Sequence, residues 1–320
     1  MILKMINNET RKKVIVICGP TASGKTSLSV ELAKKINGQI VSADSMQIYD
    51  EIIIGTARPT TEEMQGIKHY LVGNVPITKR FSVSEYKIQA EKVIEEILKN
   101  NNVPIVVGGT GLYVNSLIYG IDYPEIEIDQ EYREYLEKLV EKEGLSKLYM
   151  KATEIDPEAM KKISENDKKR ILRVLEIYHQ TGKNKTELEL DSRKNGVKYD
   201  YHVFAIDFNR EVLYDRINKR VDIMIEKGLI EEAKTLYNKY GEKIITGSQA
   251  IGYKEVIDYL NGIYTKDEMI EKIKMESRRY AKRQLTWFRK IDNITWLNGE
   301  KSIEENIETI LKNVKLTESL

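Results

Sequence analysis

Eight residues, Gly19-Pro20-Thr21-Ala22-Ser23-Gly24-Lys25-Thr26, fit the phosphate-loop pattern G-x-x-x-x-G-K-[ST]. The chemistry of such a loop is anion binding. Its glycines let successive backbone N–H groups point into one concavity. A helix beginning at Lys25 adds the positive end of its dipole. Lys25 supplies a mobile charge, and the Thr26 hydroxyl can ligate a Mg²⁺ that bridges phosphate oxygens. Further along, Asp44 closes a second apolar run and suits a general base or a Mg²⁺-water ligand. Its ordinary reading is a turn or helix-cap residue. Gly108-Gly109-Thr110-Gly111 closes a third run and allows close backbone approach to a ligand. Arg216 and Arg220, four apart, share a helix face. They suit a surface pair or two guanidinium groups closing over a pyrophosphate. Arg278 to Lys290 holds six basic residues and no acid, with Tyr280, Trp287 and Phe288 interleaved. Charge with stackable rings suits a nucleic-acid backbone and unstacked bases.

The elements that must position these groups are legible in the periodicity. Val14 to Cys18 is a β-branched apolar run, as in a parallel strand buried on both faces. Leu28, Leu32 and Ile36 then repeat at helical spacing. Gln39 to Ser42 and Val103 to Val107 predict two more core strands, and His69 to Val72 a short one. Helices are predicted from Phe81–Tyr86, with Ser82 or Ser84 as the cap, to Lys99 and over Arg210 to Lys227. In an open α/β sheet, ligands lie outside the carboxyl ends of the strands, which brings Asp44 and the second glycine run towards the phosphate loop. From about Ile121 to Asp200 strand character vanishes, and charged amphipathic patterns predict helices over Tyr132 to Lys142 and Asp167 to Gln180. Val203 to Asp207 resumes the sheet. The fold class is α/β, a parallel-sheet core (1–120 and 201–320) with a helical insertion domain (121–200). Lys169, Arg170 and Arg173 lie near one side of an insertion helix, ordinarily a solvated basic face.

At 320 residues with net charge +1, the composition neither supports nor excludes a nucleic-acid partner. The single cysteine, Cys18, excludes an internal disulfide and a cysteine-rich zinc site. No apolar leader or membrane-length run occurs, which predicts a cytoplasmic protein with no membrane partner.

Taken together, the motifs resemble the tRNA dimethylallyltransferases, or tRNA isopentenyltransferases, of bacterial type. The resemblance covers nearly the whole chain. It rests on the phosphate loop, Asp44-Ser45-Met46-Gln47-Ile48-Tyr49, Gly55-Thr56-Ala57-Arg58-Pro59 and Val107 to Tyr113. At the C-terminal end it rests on Ala250-Ile251-Gly252-Tyr253-Lys254 and Ala281-Lys282-Arg283-Gln284-Leu285-Thr286-Trp287-Phe288-Arg289. It implies a P-loop kinase-like core. It also implies transfer of a dimethylallyl group from its diphosphate to N6 of the adenosine 3′-adjacent to the anticodon, in tRNAs reading codons that begin with U. Gly19 to Thr26 would hold the diphosphate, with Mg²⁺ on Thr26. Asp44, Thr26, Lys25 and one of Arg216 and Arg220 would carry catalysis, the sequence not choosing between the arginines. The tRNA anticodon stem-loop would meet Asp44 to Gln47, Thr110, Lys169-Arg170-Ile171-Leu172-Arg173, Gln249 to Lys254, and Lys282 to Arg289. A monomer is expected. Three other readings use some of these features: an ATP-dependent kinase with an arginine-rich lid, an isopentenyltransferase acting on free adenine nucleotides, and a non-catalytic RNA-binding protein. The kinase and nucleotide readings leave the basic-aromatic segment without a role. The non-catalytic reading makes Asp44 dispensable.

Overall fold

The computed structural model describes residues 11–123, 129–193, 196–241 and 250–315. Contacts divide the chain into two compact units. One draws on residues up to Phe81, Glu85–Ile118 and Lys198 onward; the other is Ser82–Ser84 with Tyr119–Val197.

In chain order the first unit holds β1 (Lys13–Cys18), α1 (Lys25–Lys35), β2 (Gly38–Ser42), α2 (Thr61–Met64), β3 (His69–Tyr70), α3 (Val83–Lys99) from Glu85 onward, β4 (Val103–Gly108) and α4 (Gly111–Ile118). After the second unit it resumes with β5 (Asp200–Asp207), α10 (Arg210–Glu226), α11 (Leu229–Tyr240), α12 (Tyr253–Leu260), α13 (Lys266–Phe288), β6 (Thr295–Asn298) and α14 (Ile303–Val314). The six strands are parallel, in the order β3-β2-β4-β1-β5-β6. Val14 to Cys18 are fully buried, as a central strand covered on both faces requires. Side chains alternate along a strand. Ile15 and Ile17 therefore join Leu28 and Leu32 of α1 and Ile307 and Ile310 of α14 on one face, and Val14 and Val16 point to the other. Strand β4 lies between β1 and β2, and β5 lies on the opposite side of β1. The connections thus reverse direction next to β1, the place where open α/β sheets bind ligands.

Two elements differ from expectation. Only His69 and Tyr70 of the predicted third strand pair with the sheet, because Leu71 turns out of it at φ +59°. The edge strand β6, only four residues long, carries too short a pattern to be read from the sequence.

The second unit contains α5 (Gln130–Glu143), α6 (Leu145–Ile155), α7 (Pro157–Met160), α8 (Lys168–Thr181) and α9 (Lys185–Ser192), and no strand among the described residues. Asp129, Asp156, Asp167 and Asn184 cap four of these helices with side-chain oxygens. Its core packs Leu136, Leu148, Ala152, Ile171, Leu172 and Leu175. Ile171 and Leu172 are therefore core residues with no surface to offer tRNA, contrary to the expectation for them. Arg173 turns onto the buried carboxylate of Glu176 at 3.3 Å, beside Arg133 at 2.7 Å. Of the five residues expected to bind RNA here, Lys169 and Arg170 face solvent, and Arg170 also pairs with Asp167.

Candidate active site

The ends of β1, β2 and β4 and the helices α10 and α13 enclose a cavity of about 360 Å³, a size usual for small-molecule sites. Its floor is the phosphate loop. Gly24 takes φ +81°, which a side chain would strain, and α1 starts immediately after it. The Lys25 ammonium donates to the carbonyls of Gly19 (3.1 Å) and Pro20 (2.6 Å). Burial, and then the nearby Arg220 charge, pull its pKa down to about 8, against the opposing pull of Asp44 and Cys18. Thr21 to Thr26 all line the cavity.

Asp44 follows β2. Its Oδ1 accepts the N–H groups of Met46 (2.9 Å) and Gln47 (3.2 Å), so the residue does hold a turn. Oδ2 accepts no hydrogen bond among the described residues. The β4 end packs against the same turn. Thr110 N–H donates to the Ala43 carbonyl, and a Cβ on Gly108 would stand 2.1 Å from that oxygen, so only glycine fits there. The Thr110 hydroxyl accepts the Ser45 N–H at 2.9 Å and lies 3.2 Å from the Ser45 hydroxyl. Gln47 sits in the wall and donates to the carbonyls of Thr56 and Ala57.

The structure separates the two arginines. Arg220 lines the cavity, and its Nη2 donates to the Thr56 carbonyl at 3.3 Å. Arg216 lies outside the cavity lining, with its Nε on the Ala22 carbonyl (2.9 Å) and its guanidinium over the Phe208 ring (4.9 Å). Arg220 thus belongs to the cavity wall, while Arg216 braces the loop.

The C-terminal basic segment is part of the single helix α13, and helical geometry divides it. Ala281, Gln284 and Phe288 are buried, and Leu285 packs against Leu213 and Ile217. Lys282, Thr286 and Arg289 are exposed, with Arg283 at the cavity rim and Trp287 laid over Gly111. The buried Gln284 joins two loops. Its Oε1 accepts the Thr21 N–H and its Nε2 donates to the Gly109 carbonyl, both at 2.9 Å. It thereby ties the phosphate loop to the β4 end. Phe288, Leu285 and Gln284 thus face inward and do not form part of an RNA-facing surface. Of the segment before α12, Ile251 lines the cavity, Ala250 and Tyr253 are buried, Gly252 caps the helix at φ +105°, and Lys254 pairs with Asp258 on its own helix. Gln249 lies outside the described residues.

Sequence reasoning missed the apolar wall formed by Ile217, Val221 and Met224. The signal was their stripe, which runs beside Arg220 on the same helix. Sequence reasoning read Tyr280 only as a stackable ring of the basic segment, whereas the residue lines the cavity, four before Gln284 and so on the same face of α13. Burial raises the Tyr280 phenol well above its ordinary pKa, as does the nearby Asp44 charge, so it stays a neutral hydroxyl.

A family model described as IPP transferase matches residues 47–291. The tRNA dimethylallyltransferase of Acetivibrio thermocellus is 48% identical over 302 residues, covering 94% of this chain and 96% of its own. Among solved structures, the tRNA isopentenylpyrophosphate transferase of Bacillus halodurans is 41% identical, with a TM-score of 0.70 over 97% of this chain and 100% of its own. A eukaryotic dimethylallyltransferase acting on tRNA is 30% identical, with a TM-score of 0.79 over 96% of this chain and 80% of its own. The phosphate loop, the carboxylate facing it and these likenesses lead to one conclusion: the chain belongs to the tRNA dimethylallyltransferase family.

Proposed function

We propose that this chain transfers a dimethylallyl group from dimethylallyl diphosphate to N6 of the adenosine 3′-adjacent to the anticodon, in tRNAs reading codons that begin with U. The observation that carries this reading is one cavity with three chemically distinct walls. Lys25 and Arg220 stand on the phosphate-loop side, Ile217, Val221 and Met224 form an apolar wall, and Asp44 lies at the end of β2.

The chemistry assigns a role to each wall. The C1–O bond of the donor breaks as a bond from N6 to C1 forms, and the allylic carbon gains cationic character on the way. The departing diphosphate gains negative charge, which the loop N–H groups, Lys25 and Arg220 stabilise from fixed positions. The exocyclic amine is a weak nucleophile because its lone pair is delocalised into the ring. Asp44 Oδ2 takes its proton as the new bond forms. The apolar wall holds the prenyl tail and keeps water from the cationic carbon. The adenine must leave its stack to reach this cavity.

Mg²⁺ fits the residues present. The hydroxyl of Thr26 is a hard oxygen donor on the cavity and would hold the ion, with Asp44 Oδ2 kept for the proton. Among the described residues no group of three or more carboxylate, imidazole or thiol side chains could hold a metal alone. That pattern suits an ion bound jointly with the substrate's phosphate oxygens, where it would add neutralising charge to the leaving group. Lys282, Arg283 and Arg289 on α13, and separately Lys169 and Arg170, supply the charge for an anticodon stem-loop. We read the working form as a monomer. No described helix is long and apolar enough to cross a membrane, and we place the reaction in the cytoplasm.

The test mixes the purified chain, Mg²⁺, unmodified tRNA and radiolabelled dimethylallyl diphosphate, with a parallel tube of labelled ATP and no prenyl donor. Label retained on the tRNA, mapped to the adenosine beside the anticodon, is the expected result. ATP turnover without prenyl transfer would replace this reading with that of a kinase.

A further inference from the structure

Glu232 belongs to no motif in the sequence. It sits in the first turn of α11, and its carboxylate collects four donors. Oε2 accepts the N–H groups of Ile53 (3.1 Å) and Ile54 (2.9 Å), and Oε1 accepts the N–H of Gly55 (3.0 Å) and the hydroxyl of Tyr253. Three successive backbone amides on one side chain hold a short stretch of chain in a single conformation. The Tyr253 ring also packs on the stretch, since a Cβ on Gly55 would lie 2.2 Å from Cε2 of that ring. A second carboxylate, Glu51, receives Lys239 (2.7 Å) and the Tyr240 hydroxyl from the far end of α11. The helix therefore grips the loop at both ends of residues 51–55.

What this loop presents to the cavity is the Thr56 carbonyl, which accepts from Arg220 Nη2 at 3.3 Å and from Gln47 at 3.1 Å. A guanidinium that must meet a diphosphate needs its fork aimed beforehand. The Thr56 carbonyl is the protein hydrogen-bond partner that Arg220 has among the described residues. We propose that Glu232 is a positioning residue for the diphosphate site: by fixing residues 53–55 it places the Thr56 carbonyl, and through it the Arg220 guanidinium. This rests on the proposed use of the cavity for a diphosphate donor. It adds to that use a residue remote from the phosphate loop that sets donor affinity.

Replacing Glu232 by Gln keeps the size but turns one of the two oxygens into an N–H₂ group, which faces at least one N–H donor it cannot accept. The test is a double-mutant cycle on the full chain with E232Q, R220A and both together. Calorimetry reads the binding of inorganic pyrophosphate with Mg²⁺, and filter binding reads the affinity for an anticodon stem-loop. The expected result is about a tenfold loss of pyrophosphate affinity for E232Q and less than a twofold further loss when R220A is already present, with stem-loop affinity unchanged. Y253F removes one of the four donors, keeps the ring on Gly55, and should give about a threefold loss that likewise disappears in the R220A background. It carries the cycle if E232Q fails to fold. An equal loss in both backgrounds, or no loss at all, overturns the proposal. Because the readout is pyrophosphate binding, a wild-type chain that binds it without transferring a prenyl group would refute the functional reading and leave the clamp standing.

Discussion

Asp44 holds a turn with one oxygen and is assigned a proton with the other, and two substitutions separate these roles. In Asp44→Asn the side-chain carbonyl can keep the hydrogen bonds now made by Oδ1 to Met46 N–H at 2.9 Å and Gln47 N–H at 3.2 Å. The turn survives and the base is lost. A positioned general base is worth about 10²–10⁴-fold, or about 3–5 kcal/mol of barrier at about 1.4 kcal/mol per decade. The carboxylate also supports the charge on Lys25 and Arg220 while repelling a diphosphate. Its neutralisation should therefore leave the donor KM near its original value while kcat falls. Asp44→Ala loses the base and both turn bonds. With each hydrogen bond worth about 1 kcal/mol and the turn only partly buried, it should cost about 1–2 kcal/mol of stability beyond the Asn variant. The assay is single-turnover transfer at saturating donor, with tRNA binding and thermal unfolding measured on the same preparations. Transfer by Asp44→Asn within tenfold of the parent rate would remove Asp44 as the base. Equal unfolding temperatures for the Asn and Ala variants would remove its turn role.

Three further outcomes follow from the site. Lys25 titrates near pH 8 in the fold against 10.5 for an ordinary lysine. Its charged form is disfavoured by folding, so this residue's destabilising effect is complete below about pH 8 and fades as the pH rises towards 10.5. A bound diphosphate restores the charge. Calorimetry at pH 8 in two buffers of different ionisation enthalpy should then show uptake of about half a proton per diphosphate analogue bound, and zero uptake would contradict the assignment. Gln284→Leu strands the Thr21 N–H and the Gly109 carbonyl. At about 1–3 kcal/mol for each group, melting should fall by roughly 5–15 °C, and a fall under 2 °C would show that the bridge contributes little. Lys282→Ala with Arg283→Ala removes two outward charges of α13. The slope of log affinity for tRNA against log salt should become shallower by about 1–2, and an unchanged slope would make this a merely solvated face.

The phosphate loop, its strand and its helix were legible in the chain because each is a local object: β-branched residues in a row, two glycines at fixed spacing, apolar residues at helical period. Asp44 and the Gly108 turn were legible for a related reason, since parallel strands deliver their carboxyl ends to one edge whatever their order in the chain. The helical insertion showed itself by loss of strand character between Ile121 and Asp200. Other assignments depended on packing. Arg216 and Arg220 share a helix face and a residue type, and only the approach of α10 to the loop decides that one braces Ala22 and the other enters the cavity. The basic run on α13 is continuous in sequence, yet a helix presents neighbouring residues in different directions, so Gln284 and Phe288 turn inward while Lys282 and Arg289 do not. Ile171 and Leu172 stand among basic neighbours in the chain and belong to a core for the same reason. Glu232 carries no pattern at all: its partners are backbone amides some 180 residues away in the chain, and backbone amides are the same in every sequence. The chain by itself therefore determined which chemistries were available, and tertiary packing decided which atoms share a cavity, because burial and direction belong to the partner surface as much as to the residue.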